Sequence, residues 1–184
     1  MIHMQPGSPR YLIAGQLRRD YVILPSDQVL LDVPGGNVLY AAVGAAIWEP
    51  EPAPGIVARV GEDYPKEWLA DFARRGMDIR GIRILPYPVD LRNFIAYVDR
   101  TTTIFDDPVN HFARLGIPFP RELLGYRNPA NQLDSRTRLL PISIRQDDIP
   151  ADFLDASAAH ICPVDYLTHT LLPAVLHQAE FSIV

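Results

Sequence analysis

Gly35 and Gly36 stand side by side just before an apolar run, Val38 to Trp48, and adjacent glycines at a helix start have a chemical use. Without side chains their backbone lets a ligand approach closely, and the amides of the first turn point outward as hydrogen-bond donors. The same pair would serve equally as a tight turn after Pro34. A second position of interest is Asp165, which follows the strand-like run Ala158 to Cys162. Open α/β sheets gather ligands outside such strand ends, so Asp165 is a candidate substrate contact.

Other reactive residue types are placed less productively. His160, His169 and His177 lack the i, i+4 spacing of a single-helix metal pair. Cys162 closes an apolar run and reads as a small buried hydrophobe. Arg127, Arg136 and Arg138 would either meet an anionic substrate or sit in a solvated loop, while Asp106, Asp107, Asp147 and Asp148 look like loop carboxylates. No Gly-x4-Gly-Lys-Ser/Thr phosphate loop occurs, and no Gly-x-Gly-x-x-Gly follows the first strand, which argues against a Rossmann-type nucleotide binder.

The elements that must hold these residues are legible in outline. Tyr11 to Ala14, Tyr21 to Leu24 and Val29 to Val33 are short apolar runs bounded by turn signals, as strands are. Val38 to Trp48 carries no charge and predicts a helix buried on all sides, too short to cross a bilayer. Prolines stiffen the connection from Glu49 to Pro54. Gly55 to Val60 predicts a strand, broken by Gly61, Glu62 and Asp63 before Pro65 opens a helix. Trp68, Leu69 and Phe72 share one face of that helix, Asp63 is expected to cap it, and Gly76 to stop it.

Arg92 to Asp99 alternates as an edge strand, with Phe94, Ala96 and Val98 on one face. The stretch 106–148 gives no regular signal and is expected to be an irregular connection. Beyond it, Pro150 to Leu154 predicts a short helix, Ala158 to Cys162 a strand, Thr168 to Gln178 an amphipathic helix with Pro173 in its first turn or at a kink, and Phe181 to Val184 a further strand.

Composition bounds the function. The chain of 184 residues is 48% hydrophobic, enough for a real core, and its 18 prolines imply many loops and strand edges. A net charge of −5 argues against nucleic acid, which needs a concentrated basic face. The single cysteine fits a reducing compartment, and the polar start has no signal-peptide core, so a cytoplasmic location without membrane association is expected.

The succession of parts resembles the N-terminal half of the ribokinase-like (PfkB) carbohydrate and nucleoside kinases. Gly15 with Asp20 five residues on, the diglycine Gly35-Gly36, the turn Val60-Gly61-Glu62-Asp63 and the exit Gly76-Met77-Asp78 follow the family's order of landmarks. The resemblance implies an α/β fold, a three-layer α/β/α sandwich with a small β lid whose strands lie within about 11–33 and 92–105. It implies that Asp20 accepts hydrogen bonds from two substrate hydroxyls; on its own, Asp20 also reads as a solvated turn residue beside Arg18 and Arg19. Arg92 and Asn93 open the implied lid strand and would either reach substrate hydroxyls or a phosphate, or be ordinary edge polarity. Tyr40 occupies the place of the family's substrate-binding asparagine, four residues after Gly36, and would either alter specificity or belong to the core.

The implied activity is phosphoryl transfer from ATP, with Mg2+, to a hydroxyl of a sugar, nucleoside or similar small molecule. The family's base lies in a Gly-Ala-Gly-Asp motif toward the C-terminus, and that tetrapeptide does not occur here. The expectation is therefore a single incomplete domain over 1–184, truncated after its substrate-binding half, that binds no nucleotide or metal and is inactive alone. Open lid edges would be its route to a homodimer. The alternative is a non-catalytic polyol-binding or regulatory module derived from the same fold.

Overall fold

The computed structural model describes residues 7–49, 51, 53–128 and 136–176, with the backbone of 182–183. In chain order its regular elements are β1 (Tyr11–Ala14), β2 (Arg18–Ile23), β3 (Val29–Gly35), α1 (Asn37–Trp48), β4 (Gly55–Val60), α2 (Lys66–Arg74), β5 (Asp78–Ile84) and β6 (Arg92–Tyr97). They continue with β7 (Thr103–Ile104), α3 (Pro108–Arg114), β8 (Ala158–Ile161), α4 (Tyr166–Leu176) and β9 (Ser182–Ile183). The chain divides into two compact units.

The first unit spans Met1–Leu17, Gly36–Asp90 and Asp134–Val184. Its sheet has the order β5-β4-β1-β8-β9, with every neighbouring pair parallel. Parallel strands are buried on both faces, and β4 accordingly has every residue buried, as its near-continuous apolar run requires. One face of the sheet presents Leu12, Ala14, Val57 and Ala159 to Ile144, Phe153, Leu172 and Leu176. α2 ends where expected. Gly76 has a φ of +78°, its N–H bonds the Ala73 carbonyl and the Met77 N–H bonds the Phe72 carbonyl, which is a Schellman stop that needs glycine.

The second unit comprises Arg18–Gly35 and Leu91–Leu133. Its sheet runs β3-β2-β6-β7, with β2 and β6 parallel and both outer pairs antiparallel. Tyr21, Ile23, Phe94 and Ala96 form one face, closed by Phe112 of α3 and by Leu123. Phe112 meets Phe94 at 6.1 Å and Phe119 edge-on at 5.9 Å between ring centroids.

Several expectations need correction. Tyr11 to Ala14, included in the range for the small sheet, is the central strand of the larger one. The stretch 106–148 contains α3, opened by Pro108 and stopped by Gly116 at a φ of +65°. α1 is not buried on all sides. Only Val38, Leu39 and Ala42 are buried, whereas Ile47 and Trp48 are 74% and 85% exposed. Asp63 does not cap α2; its Oδ1 accepts from the Val89 N–H at 3.0 Å and ties two loops instead. α4 starts at Tyr166, which puts Pro173 inside the helix, and the segment Pro150 to Leu154 is a 3-10 turn over Ala151–Asp155. The expected continuation of the last helix through His177 and Gln178, Pro50 and Pro52 of the proline-rich connection, and part of the polar stretch from Tyr126 to Arg138 lie outside the described residues.

Candidate functional site

Asp20 sits in the interior of β2 and is 1% exposed, so it is not a solvated turn residue. A buried carboxylate must be bonded to remain charged. Asn93 stands beside it in the parallel register of β2 and β6, and its Nδ2 donates to Asp20 Oδ1 at 3.0 Å. Gly35 supplies the space. A Cβ built there would lie 1.8 Å from Asp20 Oδ2, so any side chain at residue 35 would evict the carboxylate. The ladder between β2 and β3 shifts register between Asp20 and Val22, a bulge that re-aims the strand beside this position. Arg19 forks onto Asp32 at 2.8 and 2.7 Å, and Asp32 takes a left-handed φ of +52°.

Arg92 adjoins Asn93 in sequence but is engaged differently. Its guanidinium donates to the carbonyls of Glu122, at 2.5 Å, and Leu124, at 3.0 Å, and thereby holds the turn after Pro120. Chemically, then, this unit gathers one carboxylate and one amide on one sheet face next to a glycine. That set accepts and donates hydrogen bonds to hydroxyls and carries no group suited to phosphate.

In the first unit, Gly36 precedes α1 with a φ of +103°, a conformation that a β-carbon would strain. Tyr40 is 62% exposed, so it does not belong to the core. Asp165 is occupied by its own helix: Oδ1 accepts from the Thr168 N–H at 3.1 Å, and Oδ2 from the Thr168 hydroxyl at 2.6 Å. This is an N-cap bond, and the same hydroxyl accepts from the Ile144 N–H at 3.0 Å. The structure therefore gives Asp165 a folding task at the start of α4.

Asn37, three residues before Tyr40, is the first residue of α1. The structure gives it two bonds, with Oδ1 accepting from the Gln16 N–H at 2.9 Å and Nδ2 donating to the Pro163 carbonyl at 2.6 Å. Its type was the available signal, because an amide at the first turn of a helix can satisfy one donor and one acceptor at once.

The remaining candidates are dispersed. The His169 ring accepts from the Val164 N–H at 3.3 Å, and His160 is exposed on β8. Cys162 is buried, and burial raises its thiol pKa, which keeps it protonated and unreactive. Arg136 lies over the Tyr166 ring at 5.8 Å, and Arg127 and Arg138 are exposed. Among the described residues no group of three or more His, Cys, Asp or Glu could hold a metal ion. Of the buried carboxylates, Asp20 is bonded to Asn93, and Asp148 is bonded to Arg59 and Arg83. Among the described residues, no helix is long and apolar enough to cross a membrane.

This arrangement has known counterparts. The fold is that of the N-terminal half of ribokinase-like (PfkB) kinases. A sugar kinase from Pyrococcus horikoshii superposes with a TM-score of 0.60 at 15% identity, over 94% of this chain and 51% of its own. A fructokinase from Xylella fastidiosa, solved with bound ATP, superposes with a TM-score of 0.57 at 18% identity, over 95% of this chain and 50% of its own. In sequence, the chain is 32% identical to a cytidine kinase from Thermococcus kodakarensis over 116 residues, 61% of this chain and 39% of that protein. No protein-family model matches. The chain thus spans about half the length of the solved kinases it resembles.

Proposed function

We propose that this chain supplies the acceptor-binding half of an ATP-dependent kinase that phosphorylates a hydroxyl of a sugar, nucleoside or similar small molecule. The observation that carries the reading is the Asp20 carboxylate, buried, bonded to Asn93 and lodged where Gly35 has no side chain. A carboxylate held in this way can accept from two adjacent hydroxyls, the feature that polyols and ribose share. The similarity to a cytidine kinase supports a nucleoside as the first compound to try.

Phosphoryl transfer also needs a phosphate cradle with its metal and a group that positions the attacking hydroxyl. The described residues supply neither, so the 184-residue chain by itself is proposed to bind acceptor without turning it over. Gly36 and Tyr40 remain proposed substrate contacts on the resemblance alone, and a cytoplasmic location and pairing through the lid sheet are proposed with them. A non-catalytic polyol-binding module is the second reading, favoured by Tyr40 standing where the family has asparagine.

The test is calorimetric titration of the purified chain with cytidine, ribose and fructose, alongside an assay of ATP consumption. Binding of one of these that Asp20→Asn abolishes is the expected result. Failure to bind any of them, or binding indifferent to Asp20, would sink the acceptor reading; turnover by this chain alone would overturn the claim that it is inactive.

A further inference from the structure

The strands of the first unit wind in two directions. From β1 the chain steps through β4 to β5 on one side, whereas β8 and β9 lie on the other. The carboxyl ends of β1 and β8 therefore flank the switch point of the sheet, where open α/β folds leave a crevice for a ligand. One side chain spans it. Asn37 bonds Gln16, just past the end of β1, through its carbonyl oxygen and Pro163, just past the end of β8, through its amide. Gln16 strengthens the crossing, since its Nε2 donates to the Val164 carbonyl at 2.6 Å.

The surroundings are shaped for this amide. A Cβ built on Gly15 would stand 2.6 Å from Asn37 Oδ1 and 2.9 Å from both the Cys162 and Val38 Cβ atoms, so residue 15 must be glycine for Asn37 to reach the end of β1. Aspartate at 37 would keep the acceptor for Gln16 and face the Pro163 carbonyl with a second acceptor; alanine would keep neither bond. Because Asn37 is also the first residue of α1, the same two bonds fix the peptide that joins it to Gly36.

The geometry points to Asn37 as a positioning residue of the crevice at the ends of β1 and β8, which sets their separation and the direction in which the Gly36 backbone is presented to a ligand there. The inference rests on the acceptor-binding reading above. Misplacing a positioned group by about 1 Å can cost about 100-fold in function.

The experiment compares wild type, Asn37→Asp and Asn37→Ala by titration with cytidine, ribose and fructose, by thermal unfolding, and by hydrogen exchange at the Gln16 amide. Expected are binding of the ligand wild type takes weakened in both variants, by up to about 100-fold, faster exchange at Gln16 in Asn37→Ala, and unchanged exchange within β4. A ligand bound equally by all three proteins, or a Gln16 amide equally protected in all three, would overturn the inference while leaving the acceptor reading standing. Wild type that binds none of the three ligands would instead overturn the acceptor reading and take this inference with it. A purely structural role would show as a lowered unfolding temperature and faster exchange throughout β4, and would also refute it.

Discussion

The carboxylate of Asp20 occupies the volume that a side chain at Gly35 would need, with Oδ2 standing 1.8 Å from the position of a Cβ. Glycine at 35 is thus a condition for the aspartate side chain to lie where it does at 20. Gly35→Ala should expel the carboxylate toward Asn93, abolish acceptor binding and lower stability by about 1–3 kcal/mol, the usual cost of overpacking. Asp20→Asn keeps the shape and should lose binding with little change in the denaturation midpoint. Titration and urea unfolding of both variants check the pair, and a Gly35→Ala protein that binds as wild type does would refute it.

Much of this was legible from spacing. Glycine and proline punctuation placed β4, α2 and the Gly76 stop, because each rests on a local backbone rule. The apolar run in 38–48 predicted a helix correctly but its burial wrongly, since lack of charge does not say what covers a face, and Ile47 and Trp48 are exposed. α3 was missed although Pro108 and Gly116 bracket it, because the segment holds only about two turns of pattern among loops rich in proline. The pairing of Asp20 with Asn93 was not readable at all. It depends on a parallel register between strands 73 residues apart in sequence, which no local signal encodes.

Asp165 should behave as a cap. Asp165→Ala removes both bonds to Thr168 and leaves that hydroxyl with only its Ile144 contact. The expected loss is about 1 kcal/mol of stability, typical of an N-cap, with ligand binding unchanged. Thermal unfolding beside titration distinguishes this from a substrate contact, for which affinity would fall and stability would hold.

Alkali should weaken the fold through Tyr21. Burial, with the Asp32 carboxylate adding to it, raises this phenol from an ordinary value of 10.0 to about 12. Between those values the unfolded chain has released a proton that the folded chain keeps, so stability falls as pH rises across that window. Tyr21→Phe removes the linkage. Its urea midpoint should decline less than that of wild type between about pH 9 and about pH 11, and parallel declines would show that Tyr21 does not carry the effect.

Asp148 offers the sharpest contrast between buried and exposed charge. It is buried, accepts from the Arg145 N–H at 2.9 Å, and faces Arg59 and Arg83 at 3.3 Å each, joining β4 and β5 to the turn at 146–148. Arg83 reaches solvent, but Arg59 is itself buried on β4 and has no such exit. Asp148→Ala leaves that guanidinium without its counter-charge and should cost about 3–5 kcal/mol. Asp71, by comparison, pairs with Arg74 and Arg75 on the exposed face of α2, where its carboxyl is held below the usual range mainly by the Arg75 hydrogen bond. Asp71→Ala should cost far less, because an exposed pair is screened by water and salt. Joint replacement by Arg59→Met and Asp148→Leu removes the stranded charge, and should recover much of the loss, since apolar pairs often substitute for buried ion pairs. Urea unfolding of the three variants measures the ordering, and equal costs for Asp148→Ala and Asp71→Ala would show that burial of Arg59 does not govern it.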